Sequence, residues 1–125
     1  MTPKEIAVAR AAMRMIDRAD LHELGDLTVS EIARWLNVDR SYLSRCFNNY
    51  CYPNLGRYLQ TEKMTAFYLL IRYYRVPTVK AALEILDIRS PSHFIKRFKT
   101  FYGSTSGEVC RKAREAWEEP DKRNN

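Results

Sequence analysis

Two stretches of this chain repeat one another. SYLSRCF at 41–47 and SHFIKRF at 92–98 share one pattern: serine, aromatic, apolar, a free position, basic, a free position, phenylalanine. They stand 51 positions apart, and the segments before them, VSEIARWL and VKAALEIL, keep an offset of 50. A repeat of this length constrains the fold more than any single motif, because whatever unit the first copy builds, the second must build as well.

The unit is helical. In VSEIARWL, Val29, Ile32, Ala33 and Leu36 share one face, and Thr28 with Glu31 three residues later makes a capping-box pattern. A short NVD connection follows, in which Asp39 can cap RSYLSRCFNN. In that second helix Tyr42, Leu43, Cys46 and Phe47 fall on the buried side, leaving Arg40, Ser41, Ser44, Arg45 and Asn48 on the other. Two helices of about two turns each, tightly joined and with the second polar on one face, outline a helix-turn-helix. The second copy runs from Thr78 through VKAALEIL, the connection Asp87-Ile88-Arg89, and SPSHFIKRFKTFY. There Phe94, Phe98 and Phe101 are expected to form the core stripe, while Ser92, His93 and Lys96 face away.

The rest reads as helices too. Only four glycines occur, and no alternating strand pattern of useful length appears. A first helix follows Pro3, with Ile6, Met13 and Ile16 spaced toward a core, and LHELGDL reads as a linker with apolar anchors. LGRYLQTEKMTAFYLLIRYY is a longer helix whose apolar face holds Leu59, Met64, Phe67, Leu70 and Ile71, and Pro77 ends any continuation. EVCRKAREAW closes the chain, and the end at 118–125 is expected to be disordered. The expectation is an all-α chain of about seven helices. It places the first helix and first helix-turn-helix at 1–53, a connector helix at 54–76, and the second unit with its closing helix at 77–117. Trp35 and the tyrosines are expected in the core or half-buried, not as stacking platforms for single strands.

Charge narrows the function. The formal charge is +6. Residues 28–112 carry 14 Lys and Arg against 6 Asp and Glu, a net of +8, while the two ends carry 7 against 9, a net of −2. The positive potential therefore belongs to the repeated units and not to a loose arm. Such a balance suits a polyanion, nucleic acid before an anionic membrane. The N-terminus lacks the apolar core of a signal peptide, and no stretch approaches the roughly 20 apolar residues of a membrane span, so a cytoplasmic location is expected. Three cysteines argue against a disulfide framework, and their spacing with His22 or His93 fits no zinc pattern, so no metal and no cofactor is expected. No nucleophile–base set, glycine-rich phosphate loop or apolar carboxylate pair points to an enzyme.

These motifs together resemble the DNA-binding domain of the AraC/XylS family of bacterial transcription regulators, over about residues 26–112. PSHFIKRFKTFYGSTSGEVCRKA resembles the signature of that family's second unit, with Phe94, Phe98, Lys99 and Gly103 at characteristic positions. LTVSEIARWLNVDRSYLSRCF resembles its first unit, and KMTAFYLL its connector. Departures are Asp87-Ile88 for the usual Gly-Phe, Ala82-Leu83 for Ile-Ala, Ser106 for proline and Tyr52 for glycine. The resemblance implies two helix-turn-helix units on a connector helix, binding double-stranded DNA and mostly activating transcription in the bacterial cytoplasm, at the nucleoid. With no effector domain in view, the size is like that of stand-alone MarA/SoxS-type members, which bind as monomers.

The resemblance aligns Arg45 with a base-contacting position, and Ser41 and Ser44 with others. Arginine can place two parallel hydrogen bonds on guanine. Arg40 and Asn48 are flanking phosphate candidates. In the second unit Ser92, His93 and Lys96 occupy the corresponding positions, with Arg89 and Lys99 suited to phosphate. A connector of about 18 residues is about 27 Å long, against about 34 Å between successive major-groove segments, so two recognition helices on one face of a duplex are expected. The alternative is a protein-interaction module that keeps the fold and docks one or both units on RNA polymerase or another regulator.

Overall fold

A computed structural model describes residues 1–51 and 54–118. Tyr52, Pro53 and residues 119–125, which include most of the expected disordered tail, lie outside the described residues. Eight helices follow one another, and no strand occurs among the described residues: α1 (Pro3–Arg18), α2 (Leu21–Asp26), α3 (Val29–Trp35), α4 (Arg40–Tyr50), α5 (Leu55–Arg72), α6 (Val79–Ile85), α7 (Pro91–Tyr102) and α8 (Ser106–Glu118). The chain is all-α, as its periodicity indicates. The eighth helix is α2, which corrects the reading of LHELGDL as a linker. Leu24 is buried there, and that anchor holds the short segment in a single helical turn and a half. Among the described residues no helix is long and apolar enough to cross a membrane. The chain divides into two compact units, Met1–Lys63 and Met64–Asn125, and the division falls inside α5.

In the first unit α4 packs on α1 and α3. Ala9 and Ala12 are fully buried on α1, and small side chains at those positions let helices approach closely. Ile16, Ile32, Leu43, Cys46, Phe47, Leu55 and Leu59 complete this core, with the Phe47 and Tyr58 rings 5.5 Å apart. Ile6 and Met13, expected to face the core, are only half-buried, because the alanines between them make the contact. Trp35 is 78% exposed, not half-buried as expected. It stands one turn beyond Glu31, on the polar side of α3, while Ile32, Ala33 and Leu36 point inward.

A small polar cluster edges this unit. The Tyr58 hydroxyl donates to Asp17 at 2.8 Å, and burial followed by that bond pushes the phenol well above its usual range. Glu62 is raised above its ordinary 4.5, by burial first and then by the Asp17 charge. A carboxyl that binds its proton more tightly when folded penalises the fold while ionised, and the penalty fades as pH falls through the folded-state pKa. Glu62→Gln is therefore expected to be the more stable protein at pH 7, by an amount kept small by solvent screening. Thermal unfolding at pH 7 and below pH 4.5 checks this, since the advantage should vanish at the lower pH.

The second unit is built around aromatic rings. Phe67 lies 5.3 Å from Phe94 and 5.1 Å from Phe98, and Phe98 stacks on Tyr102 at 4.6 Å with 8° between their planes. Met64, Leu70, Ile71, Ala82, Leu83, Leu86, Cys110 and Ala113 close around them. Phe101, expected in the stripe, is 42% exposed. The ring stack on this helix runs through 94, 98 and 102 at four-residue steps, and it is Tyr102, itself 41% exposed, that lies against Phe98.

The repeat is visible bond by bond. Thr28 accepts from the Glu31 N–H, and Thr78 from the Ala81 N–H, both at 3.1 Å. At the ends of α3 and α6 the Asn37 N–H donates to Arg34 O and the Asp87 N–H to Glu84 O, while the Val38 N–H donates to Ala33 O and the Ile88 N–H to Leu83 O. Both turns need a left-handed residue, and Asn37 (φ 55°) and Asp87 (φ 54°) supply it. Asn and Asp tolerate this conformation better than other residues with a Cβ. Asp87 thus holds the left-handed position of the second turn, as Asn37 holds that of the first. After that point the copies diverge by one residue: α4 is capped by Asp39, whereas α7 starts behind Ser90, which makes no side-chain cap bond. Asp87→Gly is expected to raise stability by up to about 1 kcal/mol, and Asp87→Val to lower it by about 1–2 kcal/mol. Equilibrium unfolding of the pair reads the difference.

Candidate nucleic-acid interface

The exposed side of α4 is a polar helix face without an acidic residue. Its position is set from beneath: Leu43, Cys46 and Phe47 are buried against the neighbouring helices, and the Asp39 carboxylate accepts from the Ser41 N–H at 3.2 Å. Arg40, Ser41, Ser44, Arg45 and Asn48 are brought together along one open groove, joined by Asn49. All are exposed except Ser44, which is half-buried. Asn49 was missed by sequence reasoning, although its spacing of four from Arg45 and eight from Ser41 places it on the same face.

Two contacts shape this groove. Arg40 Nη1 donates to Ser30 Oγ at 3.0 Å, tying its guanidinium to α3 and limiting how far it swings. The Arg45 guanidinium lies 5.7 Å from the centre of the Tyr42 ring on its own helix. That cation–π contact holds the side chain along the helix instead of leaving it free in solvent. The six lining residues include no carboxylate. They carry arginine donors, amides that donate and accept, and hydroxyls that do either. These groups match base edges in a major groove: arginine with guanine O6 and N7, asparagine with adenine N6 and N7, and serine with any base.

The corresponding face of α7 differs. Ser92, His93, Lys96 and Lys99 are exposed, as is Arg89 in the preceding turn. Arg97 and Thr100 are exposed among them, and Thr100 donates back to Lys96 O at 3.3 Å. Lys96, Arg97 and Lys99 make this helix more cationic than α4, and Arg97 is a further residue that sequence reasoning left out. Beside it, however, α6 and α7 enclose an apolar groove of Val79, Leu83, Ile88, Pro91 and Ile95, with Lys80, Glu84 and Asp87 along it. Ile95 occupies the position of Ser44 in the repeat and is 38% exposed. The two recognition-helix candidates therefore share a backbone but not a surface chemistry.

Among the described residues the three cysteines form no disulfide, and Cys51 is half-buried. Cys46 and Cys110 are buried, and the Cys110 thiol donates to Pro77 O at 3.1 Å. His22 lies elsewhere, at the start of α2, where its ring, Asp20 and Glu23 bring ligand-type atoms within 4.8 Å of one another. All three are exposed, an arrangement common among surface carboxylates that bind nothing.

Comparison with family models, with curated proteins and with solved structures finds no match to this chain.

Proposed function

We propose that this chain is a sequence-specific double-stranded DNA-binding transcription regulator, an activator, that places α4 in a major groove and uses α7 on a second groove segment. The observation that carries this reading is the α4 face. A rigidly seated, solvent-facing helix with two arginines, two serines, two asparagines and no acid suits the base edges of a duplex and little else. The shared turn geometry supports a second helix presented in the same way, and the excess of +8 over residues 28–112 supplies the attraction to phosphate. Arg45, Ser41 and Ser44 are assigned to base edges, and Arg40 and Asn48 to phosphate beside them. On α7, Ser92, His93 and Lys96 are assigned to base edges, with Arg89 and Lys99 to phosphate. The family resemblance supports the activator assignment, RNA polymerase as a second partner, and a cytoplasmic, nucleoid-associated site of action.

The test is selection of binding sites from a pool of random duplexes by the purified protein, followed by sequencing. The expected result is an enriched site with two motifs about one helical turn apart and affinity that falls steeply with salt. No enrichment at low salt would overturn the reading. A second reading has one specific observation in its favour. The apolar groove between α6 and α7 suits a protein better than it suits DNA, so the second unit alone would dock on RNA polymerase or another regulator. Enrichment of a single half-site is the outcome that favours it.

A further inference from the structure

The end of α5 carries a feature that the duplex-reading faces do not use. Residues 72–75 read Arg-Tyr-Tyr-Arg, and the two tyrosines are 66% and 75% exposed, against the expectation that they are buried or half-buried. The turn that presents them is held at several points. The Tyr74 N–H donates to Leu69 O and the Val76 N–H to Leu70 O, which folds the chain back on the last turn of the helix. Trp117 Nε1 donates to Arg72 O at 3.0 Å, and Arg114 donates to Pro77 O at 3.1 Å, so α8 grips the segment at both ends. Arg75 is left-handed at φ 55°, a position that favours glycine, and it is an arginine all the same. The Arg72 guanidinium lies 5.4 Å from the centre of the Tyr73 ring.

Two large rings in water on a rigid frame are costly to leave bare, and their flat faces are apolar surface that the turn offers to a partner. The cations beside them select the partner. Residues 65–83 contain Arg72, Arg75 and Lys80 and no Asp or Glu. A ligand that fits is therefore anionic and presents flat apolar faces. Intact duplex does not qualify, because its base faces are covered by their neighbours in the stack. We propose that the turn formed by Arg72, Tyr73, Tyr74 and Arg75 is a binding site for single-stranded nucleic acid, with unpaired bases stacked on the tyrosines and phosphates held by the arginines. The site is separate from α4 and does not depend on duplex reading by that helix. Its pinned backbone means that little ordering is required on binding, and aromatic stacking is tolerant of base identity, so little sequence preference is expected.

The experiment is an anisotropy titration of the whole chain with a short labelled thymidine oligonucleotide, an abasic oligonucleotide of the same length, and a duplex. The expected result is tighter binding of the thymidine strand than of the abasic strand. Tyr74→Ala should weaken it by about ten-fold, the lower part of the range for one stacked base. Tyr74→Phe should retain it. Arg75→Gly keeps the turn, since glycine suits its conformation, so this variant should melt no lower than the parent yet bind the strand more weakly and with a shallower salt dependence. Arg45→Ala should leave the single-strand titration unchanged while altering the duplex one, which separates failure here from failure of the duplex reading. Equal affinity for abasic and thymidine strands, or wild-type binding by Tyr73→Ala and Tyr74→Ala with intact circular dichroism, would overturn the proposal.

Discussion

Phe98→Ala is expected to cost about 3–5 kcal/mol of stability, the range for a fully buried phenylalanine reduced to a methyl group. Phe98 is completely buried and its ring lies within 5.1 Å of Phe67 and 4.6 Å of Tyr102, so the cavity opens between two helices that cannot easily close it. A unit of about sixty residues has little stability to spare, and a loss of this size approaches all of it. Circular dichroism during chemical unfolding should show the second unit melting early or absent. Phe101→Ala is the informative partner. Phe101 is 42% exposed where Phe98 is fully buried, so its loss should cost less, although both residues were expected in the same core stripe. Equal losses from the two would contradict the stripe through 94, 98 and 102.

Arg45→Ala is expected to weaken binding to the selected duplex by about 1–3 kcal/mol, a factor of about five to 150, and to relax base preference at one position. The reason is geometric: a guanidinium held along α4 by Tyr42 can meet two acceptors of one guanine, and alanine can meet neither. Arg40→Ala makes the contrast. Its guanidinium is tied to Ser30, at the start of the helix, so it is assigned to phosphate. Its loss should weaken binding to all sequences alike and reduce the slope of log affinity against log salt by about one. Titrations at several salt concentrations on the selected site and on a scrambled duplex distinguish the two. If Arg45→Ala behaves like Arg40→Ala, with uniform loss and a shallower slope, Arg45 is a phosphate contact and base reading lies elsewhere on α4.

What was legible in the sequence was local or periodic. The threonine caps, the buried Leu43, Phe47, Phe94 and Phe98, and the exposed polar face of α4 all follow from spacing along a helix, which depends only on near neighbours. Asn49 follows from the same rule, four residues beyond Arg45 on the same face. The misses have a common cause. Trp35, Phe101, Tyr73 and Tyr74 are large and apolar, and a sequence alone gives such residues no reason to be left outside. Which ring lies against a given neighbour is decided across elements: Tyr102 stacks on Phe98, and Phe101 lies 6.3 Å from Tyr102.

The divergence of the two units belongs to the same distinction. From sequence, the repeat determined that there are two helix-turn-helix units, that both turns follow a capped first helix, and that α4 carries a polar outer side. Hydrogen bonding and helical periodicity suffice for that, because they act over a few residues. Only the tertiary structure decided that Asp87 adopts the left-handed conformation, that Ile88, Pro91 and Ile95 border an apolar groove where α4 has a polar one, and that α8 grips the Arg-Tyr-Tyr-Arg turn and leaves its rings in solvent. Those outcomes depend on which side chains compete for the same space across elements far apart in the chain, and close packing settles that competition only when every element is in place.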